Sequence, residues 1–567
     1  MKKNIIWTVC FIVSSFATYA QVPKFNWVKA ASGSISAGGN SIAIDASGNS
    51  YVIGTFYGSI DCDPSADSLI LESFWFDIVI YKLDASGKLV WAKKIGGQEN
   101  DLGLSIALDG AGNLYATGQF GGTVDFNPGP GAFNLTSDGT GSLLRDIYVL
   151  KLDLNGNFVW AKKVGGTSID QGNTIKTDTK GNVYIAGHFY GNVDFDPGSG
   201  KSELNSFNYS SDAFVLKLNS LGNFVWVKQL GGWGKDNINL LNLDTQGSIY
   251  TTGYFTDTAD FNPGSSTYNL ISAGKEDIFI SKLDSSGNFI WAKKFGGVGQ
   301  DMGYSVAVDP TGKIYTTGTF YETLDFDPGA STFNLTSAGL DDIFILKLDN
   351  SGNFAWAKRM GSTSYDKGFC ILTDDKGNNY TSGEFTGTVD LDPGSGTLNA
   401  SSLGYEDIFI SKLDASGNFI WSINMGGVGT DYGRCMVLNA SGSIYTTGKY
   451  SSIVDFDHSS GITKISGSEN GDIFVHKMTQ GGAGIETNLN RNKISIFPNP
   501  TNGDLNIVVR DLNISKIQIL NHIGQIVMEE KNIHHSQFNI QHLPQGLYLV
   551  RVIGDKQIIA TQKIIKQ

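Results

Sequence analysis

Cysteine is scarce. Of four in 567 residues, Cys10 lies in an N-terminal apolar stretch, leaving Cys62, Cys370 and Cys435. An odd number of thiols excludes a disulfide framework. Charged residues make up only 17% of the chain, and basic ones are the shorter supply: 42 Lys and Arg against 55 Asp and Glu, for a formal charge of -13. Gripping a phosphate backbone takes clustered Lys and Arg, so nucleic acid is not an expected partner. Past residue 20 no apolar run approaches the roughly 20 residues that span a bilayer, and no transmembrane segment is expected. Sustained i, i+3, i+4 apolar spacing is missing as well, which excludes a helical solenoid. G-x-S-x-G and H-E-x-x-H do not occur, and Gly198-Ser199-Gly200-Lys201-Ser202 lacks the earlier glycine of a phosphate loop.

Glycine, by contrast, is abundant, at 71 residues against 12 prolines, and 40% of the chain is apolar. That combination predicts an all-β, turn-rich protein with several cores. Residues 1–20 place Lys2 and Lys3 before an apolar run from Ile5 to Phe16 and end in Thr18-Tyr19-Ala20. These are the three parts of a secretory signal peptide, too short to be an anchor.

From there one unit recurs. Tryptophans at 27, 91, 160, 226, 291, 356 and 421 stand 64 to 69 residues apart, and a period of this size denotes a repeat architecture. Each period holds four short apolar runs, A to D, as in residues 304–309, 313–320, 342–349 and 353–359. The A–B and C–D links are tight turns such as Pro310-Thr311-Gly312 and Asn350-Ser351-Gly352, which suit antiparallel hairpins. Apolar residues occupy both parities of the runs, as expected for sheets buried on both faces between neighbours. Seven C runs begin at Asp77, Asp146, Asp212, Asp277, Asp342, Asp407 and Asp472, yet the last has no Trp-bearing D run after it. The missing strand stands at the start, in residues 24–30. The expected fold is a seven-bladed β-propeller over residues 21–480, closed by its N-terminal strand, which also removes exposed sheet edges.

The repeat resembles the bacterial seven-bladed β-propeller repeat family, through its SIAVD-like, GNxYxTG-like and D-hydrophobic-KLD segments over roughly residues 24–478. The resemblance implies the fold and supplies no catalytic residues.

Two polar elements recur in register. The B–C link opens with Asp-x-Asp/Asn-Pro, including Asp194 with Asp196 and Asp325 with Asp327. The D–A link carries an acid after Gly-Gly: Asp101, Asp170, Asp236, Asp301, Asp366 and Asp431. Both links leave the same face of an antiparallel meander, giving an acidic, long-looped face. An Asp before Pro-Gly is an Asx-stabilised turn; paired carboxylates are also oxygen ligands for calcium, which wants six to eight of them. The fullest calcium-loop spacing is Asp61, Asp63, Ser65, Asp67 and Glu72, although Ala66 stands where glycine is expected. His188, His458 and His476 are scattered and read as substituted structural positions. Cys370 and Cys435 read as small buried residues at the position of Ser105, Thr174 and Ser305, pointing in the same sense from adjacent units and so not converging. Departures from the repeat on the long-looped face, Phe74, Trp75, Phe76, Arg145, Phe207, Tyr209, Trp233 and Lys235, are the ligand-binding candidates, since exposed aromatics serve sugar and protein contacts.

Near residue 480 the period stops. Residues 481–493 read as a linker, and about seven short strands in residues 494–567 predict a small β-sandwich. The motifs Phe497-Pro498-Asn499-Pro500, Leu543 to Gly546-Leu547-Tyr548, and Lys563-Ile564-Ile565-Lys566 resemble the type A C-terminal sorting domain of the type IX (Por) secretion system of the Bacteroidetes. That resemblance implies recognition by the secretion machinery and delivery to the cell surface or the exterior. The segment carries a charge of +2, leaving -17 on residues 21–493. Two functions fit such a protein: a surface binding or adhesion propeller for a glycan or protein ligand, or a polysaccharide hydrolase or lyase using paired acids on the loop face. Hydrolysis needs two carboxyls with unlike environments. Acids repeated in register share one, and binding is the expected function.

Overall fold

The computed structural model describes residues 22–65, 67–138, 144–459, 461–480, 494–497, 501–509, 515–521, 525–531, 537–553 and 558–566. The signal segment, the linker at 481–493 and Pro498-Asn499-Pro500 lie outside them. The chain divides into two compact units after Gln480.

In the larger unit the four apolar runs form the predicted meander. In the copy from Met302 to Met360 the strands Met302–Val308, Ile314–Phe320, Asp342–Leu348 and Phe354–Met360 pair antiparallel in sequence order. The turns are set by side chains. Asp309 Oδ1 accepts the N–H groups of Thr311 (2.8 Å) and Lys313 (3.0 Å), while Gly312 supplies φ +81°. Asp349 and Gly352 do the same for the C–D turn. The two middle strands are buried along their whole length and the Trp-bearing D strand is half-buried.

Six such sheets follow one another, from Ser36–Ile95 to Lys367–Gly427, and a seventh has three strands, Tyr432–Leu438, Ser443–Tyr450 and Asp472–Thr479. The fourth neighbour of that seventh sheet is Lys24–Ala31, antiparallel to Asp472–Thr479 with Trp27 opposite Lys477. Apolar clusters fill the space between consecutive sheets. A further cluster packs Tyr445, Ile473 and Val475 of the last against Val52, Phe56 and Val79 of the first. These sheets are all β, and among the described residues the one helical turn is the 3-10 segment Phe207–Tyr209.

Lysines of the C strands tie neighbouring sheets. Lys82, Lys151 and Lys217 each lie over a B-strand tyrosine ring and donate to a turn carbonyl of the next sheet, Leu154, Ser220 and Ser285, at 3.2–3.3 Å. Lys477 repeats the bond from last sheet to first, to the Ala85 carbonyl at 3.1 Å. On the face of the seventh sheet that packs against the sixth, where Phe25 and Phe456 lie, the histidines depart from the sequence expectation of scatter. His458 and His476 meet at 5.8 Å, and Phe25 of the N-terminal strand stacks on His476 at 5.6 Å.

The C-terminal unit has a three-stranded sheet (Ile494–Phe497, Asp504–Val509, Gln537–Asn539) and a four-stranded one. The second has the order Ile526–Lys531, Lys516–Leu520, Gly546–Ile553, Ile558–Lys566. Leu505, Ile507 and Phe538 from one and Ile519, Val550 and Ile564 from the other share a core.

Candidate functional site

The repeated acids are architectural. Asp301 is fully buried, with one carboxylate oxygen accepting the Gly297 N–H (2.8 Å) and the other the Tyr321 N–H (2.9 Å), so it clamps the D–A link to the end of strand B. Asp101, Asp170, Asp366 and Asp431 do likewise, and Asp236 accepts from Gly232. Burial pushes Asp101 up to about 7, against the two backbone donors that lower it.

The Asp-x-Asp loops are turns of the Asx kind. Asp194 Oδ1 accepts the N–H groups of Asp196 (3.1 Å) and Ser202 (2.8 Å), and Asp196 Oδ1 that of Gly198 (2.8 Å). Asp325 and Asp327 repeat the pattern. In the first unit Asp61 accepts from Asp63 and Leu69, Asp63 from Ser65, and Ser65 Oγ from Asp67. Glu72 sits on the following strand, opposite Ser59. Among the described residues no group of three or more acid, histidine or cysteine side chains is placed to hold a metal ion. At these loops one oxygen of each first Asp is taken by backbone N–H groups.

The aromatic candidates are solvent-facing. Tyr209 is 99% exposed, Trp233 65% and Trp75 51%. Ser210 Oγ donates to the Gly234 carbonyl, joining the loops of Tyr209 and Trp233. Trp75 belongs to a different unit, where Phe76 packs on Tyr57 at 5.7 Å. Arg145 is half-buried, its backbone N–H donating to Ser168 O at 3.3 Å, and Lys235 N–H donates to Thr256 Oγ1 at 2.6 Å.

A site that the sequence reading passed over lies where the seven innermost strands converge. Each A strand has a bulge two or three residues after the D–A link. The extra residue is Asn40, Leu104, Asn173, Asn239, Tyr304, Phe369 or Arg434 in turn. The glycine opposite is obligatory: a Cβ at Gly318 would lie 1.9 Å from the Met302 carbonyl. All seven bulge residues line one cavity of about 410 Å³, together with His188, Tyr254 and others.

The residue after the bulge is structural. The Ile106, Ile175 and Ile371 N–H groups donate to Ser41, Ser105 and Ser305 Oγ of the preceding sheet, at 3.1–3.3 Å. Cys370 Sγ takes the Met436 N–H in the same way, at 3.3 Å. Cys370 and Cys435 are both free and both line the cavity, and each thiol donates to the Met436 carbonyl at 3.9 Å.

The bulge residue itself divides the wall. Asn40, Asn173 and Asn239 each donate to a carbonyl of the next A strand, Gly103, Ile238 and Gly303, at 2.8–2.9 Å. Asn237 links Asn173 to His188, both contacts at 2.8 Å. In the last three units this bridge is replaced by an aromatic and cationic arc. Tyr304 packs on Phe369 (5.4 Å), Phe369 on Tyr432 (5.9 Å), and the Arg434 guanidinium lies 4.8 Å over the Phe369 ring. The signal was one column of the repeat, the residue between Gly and Ser, Thr or Cys.

In the C-terminal unit Gly546 has φ +154°, the Tyr548 hydroxyl donates to Pro544 O at 2.8 Å, and Lys566 is buried beside Thr501. Lys563 pairs with Leu549 through the backbone.

Residues 495–567 match the family described as the secretion system C-terminal sorting domain. The chain is similar to a WD repeat-containing protein of Acanthamoeba polyphaga mimivirus, 23% identical over 67% of this chain and 32% of that protein. It is also similar to the regulatory protein FlaEY of Caulobacter vibrioides, 26% identical over 26% of this chain and 15% of that protein. The chain thus spans a third or less of the length of these relatives. Among solved structures, Sqt1 from Chaetomium thermophilum aligns with 80% of this chain and 99% of its own, at 10% identity and a TM-score of 0.35. The sorting domain directs export by the type IX route, to the cell surface or the extracellular space, and implies interaction with that secretion machinery. No helix among the described residues is long and apolar enough to cross a membrane.

Proposed function

We propose that the protein is an exported binding protein: a signal peptide (1–20), a closed seven-bladed β-propeller (21–480), a linker (481–493) and a sorting domain (494–567) that the secretion machinery recognises and that is released on delivery. Closure is supported by the Trp27–Lys477 pairing, the Lys477–Ala85 bond and the apolar cluster shared by the last and first sheets. Binding is carried by one observation. Along the innermost strands the bulge is flanked by Gly before and Ser, Thr or Cys after in every unit but the fourth (Ile238, Leu240), whereas the bulge residue runs Asn, Leu, Asn, Asn, Tyr, Phe, Arg where the strands surround a cavity. A wall that differs around its circumference orients an asymmetric ligand, and the fold does not need it to differ.

Catalysis by the repeated acids has less support, because Asp101, Asp170, Asp301, Asp366 and Asp431 are buried and spend both oxygens on backbone N–H groups, and the buried Asp236 spends one on the Gly232 N–H. The test is a glycan and protein binding screen of the exported protein beside hydrolysis and lyase assays. Binding without turnover is expected; turnover lost on changing one loop-face carboxylate contradicts the reading. Deleting residues 494–567 is expected to hold the protein in the periplasm, and normal surface delivery of the truncated form contradicts the export assignment.

A further inference from the structure

The seven bulge positions allow an internal control, since three of them show what this position does when it serves the fold. There an Asn amide bridges to the next strand. Tyr304, Phe369 and Arg434 abandon that bridge on three consecutive units and stack on one another instead. Simple packing would need apolar side chains of the right size, as Leu104 supplies. A guanidinium and phenol hydroxyls are a costly way to fill space unless something takes their hydrogen bonds.

The charges around the arc sharpen this. Lys367, one residue before the bulge glycine, is ion-paired with the buried Glu384 at 2.9 Å. Arg434 is exposed to the cavity and enters no ion pair among the described residues. Its guanidinium carbon lies 4.8 Å from the Phe369 ring centroid, which holds the head group at the cavity wall while its N–H donors stay available. That is the geometry in which arginine takes a carboxylate through two parallel bonds. Among the described residues the Tyr304 hydroxyl makes one hydrogen bond, to the Met302 sulfur at 3.4 Å, and Tyr254 lines the same wall. Phenols offer donor and acceptor at one atom and a face for C–H groups. The opposite wall mixes the polar Asn40, Asn173, Asn239 and His188 with the apolar Leu104 and Leu240. The volume, about 410 Å³, lies within the ~300–1,000 Å³ of small-molecule sites. Among the lining residues Arg434 carries the positive charge, and an anionic ligand gains from it although Glu384 lies near and the body carries -17.

We infer that the cavity binds a carboxylated sugar, with the carboxylate on Arg434, the ring against the Tyr304–Phe369 arc and hydroxyls on the phenols and the facing amides. The inference rests on the binding reading above and names its ligand class.

The experiment is calorimetric titration of the full exported chain with D-galacturonate and D-glucuronate, D-galactose and D-glucose as neutral counterparts, and inorganic phosphate. A uronate is expected to bind about ten-fold or more tightly than its neutral counterpart. Arg434→Ala is expected to lose at least about ten-fold, Arg434→Lys to recover only part of it because the fork is gone, and both to keep the wild-type melting temperature. Several results overturn the assignment. One is no uronate binding to the wild-type protein, or equal binding to Arg434→Ala. Another is phosphate matching the uronate, which describes an anion site without sugar recognition. A neutral sugar binding as well as the acid and lost in Phe369→Leu removes the carboxylate while leaving the cavity as the site. Uronate binding unchanged in both Arg434→Ala and Phe369→Leu removes the cavity too.

Discussion

Ser305 and Tyr304 are neighbours on one strand, and they answer to different demands. Ser305 accepts a backbone N–H from the next sheet, and its equivalents are Ser, Thr or Cys in six of seven units, with Leu240 the exception. Tyr304 faces the cavity, and its equivalents run Asn, Leu, Asn, Asn, Tyr, Phe, Arg. A repeat protein is stabilised by interfaces between neighbours, so a residue that makes the interface is held to one chemistry, while a residue that faces the axis is not. Substitutions that separate the two classes break or sharpen this contrast.

The largest effect is expected at the junction of the last and first sheets. Removing residues 22–31 deletes the strand paired with Asp472–Thr479, takes away the buried Val28 and Ala31, and uncovers the clusters they pack against. Burial of such side chains is worth about 1.5–3 kcal/mol each, so chemical denaturation should show a loss of about 3 kcal/mol or more. A truncated form as stable as the full chain would mean that the strand is an ornament.

Next comes the acid clamp. Asp301→Ala leaves the Gly297 and Tyr321 N–H groups without their acceptor, and each buried orphan costs about 1–3 kcal/mol. A denaturation midpoint unchanged by this substitution would show that the repeated acids are not architectural.

A smaller, pH-dependent effect belongs to the buried His476. Burial pushes His476 down to about 3, with His458 beside it adding in the same direction. Between about pH 6.5 and 3 the unfolded chain therefore holds a proton that the folded one does not, and stability falls as pH drops through that window. His476→Phe should flatten that part of the stability-pH curve, measured as melting temperature against pH. An unaltered curve would place the acid sensitivity elsewhere. The smallest effect concerns calcium: with the Asp-x-Asp oxygens turned to backbone N–H groups, calcium and a chelator should leave the melting temperature where it is.

Much of the fold was legible because its causes are local and repeated. Tryptophan spacing, Asp-x-x-Gly turns and the displaced strand at Trp27 are read along the chain, and the all-β sheets follow them. The loop aromatics Tyr209 and Trp233 were legible as departures from the repeat and are indeed exposed. The cavity was not. A bulge shifts strand parity by one residue, so alternation misassigns Tyr304, Phe369 and Arg434, and their neighbourhood exists only once seven strands converge. The pairing of His458 and His476 with Phe25, more than 430 residues away, was hidden for the same reason. Lining up the seven copies and asking which single column refuses to repeat exposes the cavity side chains without any coordinates.

The contrast between the two columns is tested most directly by one thermal-shift series, in which melting temperature is recorded with and without D-galacturonate for wild type, Ser305→Ala and Arg434→Ala. Ser305→Ala should melt lower and keep the full ligand-induced shift, while Arg434→Ala should melt with wild type and lose that shift. The reverse pattern, a lower melting temperature with the shift intact in Arg434→Ala, would contradict the account.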